Sequence, residues 1–202
     1  MASGKTDHPL ERLVFFSDAV FAIAITLLVI EIHPPHLPDG SGDAAHLEAL
    51  ARLIPIFVGY LISFWVIGMF WMGHHRAFAL ATRYSPRILL WNMALLNVIA
   101  FMPFATAYLS AHFMERVPTI FYCAVMLLAA LFNMKVNRTA TSAPMVDEKA
   151  DPQAVRYVRQ RGLSVMLGAL TAFGLAIVRP EIGQMGLITI PLWRLVLVRL
   201  AK

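Results

Sequence analysis

Six stretches of this chain are long and apolar enough to cross a lipid bilayer, and that limits the fold before any motif is considered. A hydrocarbon core about 30 Å thick takes roughly 20 helical residues to cross. Backbone N–H and C=O groups at that depth find no water, so a spanning segment must bond them internally. Candidate spans run over 12–33, 53–76, 87–111, 117–135, 157–178 and 182–200. Composition agrees: 59% of residues are apolar and 14% charged, against about 45–50% and 25% in soluble domains. The expected fold is all-α, a polytopic bundle of six transmembrane helices, with 1–202 as a single domain.

The connectors suit that count. HPPHLPDGSGD ends the first helix decisively, and the longest connector, 136–156, is polar and reads as an exposed loop. The fifth span opens on Arg156, Arg159 and Arg161 before turning apolar at Gly162. The sixth is the weakest, because Gly183, Gly186, Pro191 and Arg194 interrupt it; a segment lying partly in the membrane interface is the alternative.

Charge sets the expected topology. With the N-terminus inside and six crossings, the inner segments hold Lys5, Arg12, Arg76, Arg83, Arg87, Lys135, Arg138, Lys149, Arg156, Arg159, Arg161, Arg194, Arg199 and Lys202. Of the 17 basic residues only Arg52, Arg116 and Arg179 fall outside. That is the positive-inside bias, and it predicts a multi-pass protein of the cytoplasmic membrane with both termini cytoplasmic. The net charge of +5 is then a topology signal whose partner is membrane lipid; nucleic acid is unnecessary. The single cysteine, Cys123, sits in an apolar run and cannot form an internal disulfide. The first apolar run carries Asp18 and Glu31 and lacks a small-residue cleavage site, so no removable signal peptide is expected.

The first span is unusual. Its uninterrupted apolar stretch, Ala19 to Ile30, covers only about 18 Å at 1.5 Å per residue. Asp18 and Glu31 therefore sit at or inside membrane depth, where ionisable groups face a bundle interior or a water-filled cavity. At 100° per residue, Ile23, Leu27 and Ile30 share one side with Phe16 and Ala19, Thr26 borders them, and Asp18 points away. Such a stripe reads either as packing core or as the wall of a water-filled path.

These residues carry a resemblance. Arg12, Phe16, Ser17 and Asp18 spell R-x-x-x-F-S-D, followed by AVFAIAITLLVIEI. This resembles the signature of the transmembrane protein 175 family of potassium channels, lysosomal in animals and also bacterial, and the chain resembles a prokaryotic single-repeat member. The resemblance implies a homotetramer whose axial pore is lined by the first helix of each subunit. It implies a constriction of aliphatic side chains in place of a TVGYG carbonyl filter, at Ile23, Leu27 and Ile30. Thr26 matches the position linked to potassium preference, and Ala22 stands where some members have serine. Potassium and other monovalent cations are the implied permeant ions, with no cofactor. Potassium sheds water more readily than sodium, so passage through an aliphatic ring favours it modestly, and hydrophobic constrictions can gate by dewetting. Glu31, with Asp39 and Asp43, would concentrate cations at the outer mouth.

The second span ends in FWMGHHRAF, where Trp71 lies three and four residues from His74 and His75. Adjacent histidines point about 100° apart, a poor metal pair. A hydrogen-bonded scaffold behind the pore helix suits them better, joining Arg12, Ser17 and Asp18 to Trp71, His74 and His75, with Asn97 from the third helix. Interfacial placement of the histidines is the plainer reading. No convergent nucleophile, base and metal set appears, so an enzyme is not expected. The rival function is a secondary cation or proton transporter using Asp18 and Glu31.

Overall fold

The computed structural model describes residues 8–147 and 149–200; Lys5 and Lys202, counted above among the inner basic residues, lie outside them. Seven α-helices and one 3₁₀ helix follow in order: α1 His8–Ile30, α2 Asp43–Arg52, α3 Ile54–Phe78, α4 Pro86–Ala111, α5 Arg116–Ala140, α6 Pro152–Val178, the 3₁₀ segment Pro180–Thr189 and α7 Ile190–Leu200. Six spans are long and apolar enough to cross a membrane, the last made of the 3₁₀ segment and α7 together.

Local chemistry marks the starts. Pro55, Pro86 and Pro152 occupy first-turn positions, where the missing N–H costs no bond. Ser85 Oγ accepts from the Ile88 N–H at 3.3 Å, and an Asp151 carboxylate oxygen accepts from the Gln153 N–H at 2.8 Å. α1 stops at Ile30, just short of the His33–Pro34–Pro35 run.

Helix α4 lies at the heart of the bundle, touching α1, α3 and α5, with Ile88, Leu95, Ile99 and Met102 fully buried. α1 packs on α3 and α4, while the last span packs mainly on α6. Links such as Asp18–Trp71, Ser17–Asn92 and Tyr157–Arg194 place the start of α1, the end of α3, the starts of α4 and α6 and the end of α7 at one end of the bundle. This is the basic end.

Three local features differ from the sequence expectation. The first connector contains α2, a short helix with no buried residue, on which Arg52 and Glu48 pair at 2.6 Å. Helix α5 continues to Ala140, and the loop behind it is not wholly exposed: Thr141 and Met145 are buried, and Met145 C=O accepts from the Thr82 N–H at 2.8 Å. The sixth span changes helix type half-way. Ten 3₁₀ residues at about 2.0 Å and eleven α residues at about 1.5 Å reach about 36 Å, enough for a crossing.

The reason for the 3₁₀ stretch lies in its contacts with α6. Three residues per turn put Gly183 and Gly186 on one line, and that line runs along Ala172 and Ala176. A Cβ on Gly186 would lie 2.3 Å from Ala172 Cα, and one on Gly183 2.9 Å from Ala176 Cα. No side chain fits there, so the two backbones meet directly.

Candidate pore helix and its scaffold

Helix α1 has two unlike faces. Leu10, Leu13, Ser17, Phe21, Ala24 and Leu28 are buried against α3 and α4. The opposite face is bare: Ile23 is 57% exposed, Leu27 38% and Ile30 65%, with Phe16 and Ala22 also open. The aliphatic stripe is thus not core of the protomer, which removes the packing alternative within one subunit. A second exposed ridge, Phe15, Thr26 and Val29, runs beside it.

Thr26 is exposed, and its hydroxyl donates to the Ile23 carbonyl at 2.9 Å. Its proton is committed to the helix backbone, so the Oγ1 lone pairs are what it presents outward. At the far end Glu31 is exposed just past the helix, and no basic residue occupies the last turn. The negative pole of the α1 dipole and this carboxylate therefore favour cations at the same place.

Two sets of hydrogen bonds fix the other face. Trp71 Nε1 donates to Asp18 Oδ1 at 2.8 Å, tying α3 to α1. One residue earlier, Ser17 Oγ donates to the Leu13 carbonyl at 2.7 Å and accepts from Asn92 Nδ2 at 2.8 Å. The Asn92 carbonyl oxygen lies 2.8 Å from His74 Nε2. A carbonyl only accepts, so the direction is forced along the chain: His74 Nε2–H to Asn92, Asn92 to Ser17, Ser17 to Leu13. Ser17, His74 and Asn92 are all fully buried. His74 is further held between Phe78, stacked at 4.3 Å, and Phe21 at 5.5 Å.

With this geometry in hand, the chain can be set beside known proteins. The family model described as endosomal/lysosomal potassium channel TMEM175 matches residues 12–103, the stretch holding most of α1, α2, α3 and most of α4. A Streptomyces collinus protein named as a potassium channel is 36% identical over 172 residues, covering 83% of this chain and 82% of that one. The chain belongs to the TMEM175 family. A Chamaesiphon minutus protein, also named as a potassium channel, is 37% identical over 154 residues, 74% of this chain and 75% of its own. The crystal structure described as a lysosomal potassium-selective channel TMEM175 homolog from Chamaesiphon minutus is similar at a TM-score of 0.79 and 28% identity, covering 95% of this chain and 99% of that one.

Within this TMEM175 chain the signature residues divide by face. Ser17 and Asp18 turn to α4 and α3, whereas Arg12 and Phe16 are exposed. Arg12 makes no polar contact among the described residues. Trp71 and His74 hydrogen-bond to Asp18 and Asn92 respectively. His75 is exposed and contributes only a ring stacked on Trp71 at 5.8 Å. Asn97 requires a correction: it is exposed, and the α4 amide in the network is Asn92. The step of five positions from one to the other turns the helix by about 140°, so the two amides cannot share a face. Depth was the missed signal. Asn92 lies about 9 Å and Asn97 about 16 Å from the start of α4, while His74 is about 6 Å from the end of α3.

Proposed function

We propose that this chain forms a potassium-permeable cation channel, a homotetramer in which the α1 helices surround one axial pore. The observation that carries the reading is the bare aliphatic stripe of Ile23, Leu27 and Ile30 on a helix whose other face is pinned by hydrogen bonds. A helix lining a shared axis needs one face for the axis, one for its neighbour and one for its own subunit. α1 offers three: the stripe, the Phe15–Thr26–Val29 ridge and the buried face. The relatives named as potassium channels support the choice of ion.

In this reading three aliphatic rings, of Ile23, Leu27 and Ile30 from four subunits, narrow the path, and an ion passing them sheds part of its water. Potassium holds its hydration less tightly than sodium, so the preference for it is modest. The outward lone pairs of Thr26 replace some of the lost water, and Ala22 adds no further oxygen. Glu31 and the α1 C-terminus gather cations at the mouth opposite the basic end. Positive-inside orientation puts both termini in the cytoplasm.

The test is reconstitution in planar bilayers under a potassium/sodium gradient, for the wild type and Ile23→Ala. Unitary currents reversing toward the potassium potential, with conductance or selectivity altered by the substitution, are expected. Currents indifferent to Ile23→Ala would place the constriction elsewhere. Saturable coupled uptake without unitary currents would overturn the channel in favour of a transporter working through Asp18 and Glu31.

A further inference from the structure

A cavity of about 670 Å³ opens between α3, α5, α6 and the last span, away from the pore-helix face. Its deeper part is apolar, walled by Val66, Met126, Ala169 and Ile190. Toward the basic end it changes character, with Arg161 and Arg194 in its wall beside Asn133 and Asn137.

The arginines are unusual in their company. Tyr157 receives three of them: Arg194 lies 4.7 Å and Arg76 5.9 Å from its ring centroid, and its hydroxyl oxygen accepts from Arg76 Nη1 at 3.4 Å and Arg161 Nη1 at 3.5 Å. Among the described residues no carboxylate is within ion-pair distance of any of the three. Three guanidinium groups around one ring repel one another unless an anion joins them. Arg161 closes the basic stretch of α6, one residue before the apolar run opens at Gly162, and its side chain reaches toward Tyr157 one turn nearer the surface.

The asparagines supply the second half of the argument. Both are 97% buried, yet neither Asn133 Oδ1 nor Asn137 Oδ1 has a hydrogen-bond partner in the protein. Gly162 stands against Asn137 Nδ2, where a Cβ would come within 2.8 Å, and Gly73 faces Asn133 Oδ1. Two unmet acceptors beside an unneutralised cationic cluster ask for one ligand carrying both an anion and hydroxyl donors. The apolar depth beyond them asks for hydrocarbon.

We infer that this cavity binds an anionic phospholipid with a hydroxylated headgroup, its phosphate between Arg161 and Arg194, its headgroup hydroxyls on Asn133 and Asn137, and an acyl chain along Val66, Met126 and Ile190. Phosphatidylglycerol is the simplest lipid with that chemistry. The size fits the range of built ligand sites, about 300–1,000 Å³.

The test is native mass spectrometry of the delipidated full-length protein titrated with phosphatidylglycerol, phosphatidic acid or phosphatidylcholine, with melting temperature read in parallel. Phosphatidylglycerol should bind most tightly, phosphatidic acid next and phosphatidylcholine least. Arg161→Gln with Arg194→Gln should weaken phosphatidylglycerol by roughly tenfold or more and abolish its stabilisation in the melt. Arg116→Gln, at the opposite end, should change neither. Equal binding of phosphatidic acid and phosphatidylglycerol would overturn the role of the asparagines. Retention unchanged by the double substitution would overturn the site. Loss of oligomer in that variant, with lipid binding per chain intact, would overturn it in favour of an interface with a second copy. None of these readouts depends on ion conduction.

Discussion

The first and last spans both look deficient in the sequence, and the structure repairs them by opposite means. α1 has a short apolar centre between two acidic residues, yet it is an unbroken α-helix anchored on one side by Asp18–Trp71 and Ser17–Asn92–His74. The last span is interrupted by glycine, proline and arginine. It is held by backbone contact of Gly183 and Gly186 with α6, and it changes helix type to achieve this. Directional bonds leave the far face of a helix free for another task. Close backbone packing commits the small-residue face fully but requires no polar group. In the proposed channel the pore helix is the one fixed by hydrogen bonds.

The sharpest way to break this contrast is at the glycine contact. Gly186→Ala should destabilise the protein by about 2–3 kcal/mol, because its Cβ meets the Ala172 backbone and cannot be relieved by a rotamer change. Gly174→Ala makes the matched control: nothing lies within 4 Å of its Cβ, so neutrality or a gain of up to about 1 kcal/mol is expected. Thermal unfolding in detergent measures both, and equal effects would discredit the close-packing account.

On the α1 side, Asn92→Ala should cost about 2 kcal/mol, since it strips buried His74 of its hydrogen-bond partner and Ser17 of its donor. Asn97→Ala should stay within about 0.5 kcal/mol. A reversal of that order in paired melts would return Asn97 to the scaffold. Trp71→Phe removes one bond to a half-buried carboxylate and should cost about 1 kcal/mol. A comparably small stability effect is expected at Ile23→Ala, within about 0.5 kcal/mol in the isolated subunit, because its side chain touches little of its own protomer. A large loss of subunit stability there would mean the stripe is core after all.

Run length and charge placement made the six crossings legible, since both report directly on passage through a bilayer. The Asp18–Trp71 pairing was readable in outline, because a carboxylate at membrane depth needs a donor and Trp71 lies at the matching end of α3. Asn92 was missed for Asn97 because both are amides in an otherwise apolar helix, and only their depth relative to His74 separates them. The 3₁₀ stretch was invisible for another reason: glycines read locally as weakness, and only the turn at Arg179, which folds them back onto the alanines of α6, makes them an asset. α2 carries no buried residue, so its apolar pattern had no core to report.

The glycine contact also acts as a key. With three residues per turn, sliding the last span by one or two residues would drive Met185, Leu187 or Ile188 onto Ala172, which has room for none of them. Sliding by a full turn would bring Gly183 to Ala172 but Pro180 to Ala176. Only one register closes, so the least hydrophobic crossing in the molecule is set to a single depth by shape, independently of how thick the surrounding bilayer is.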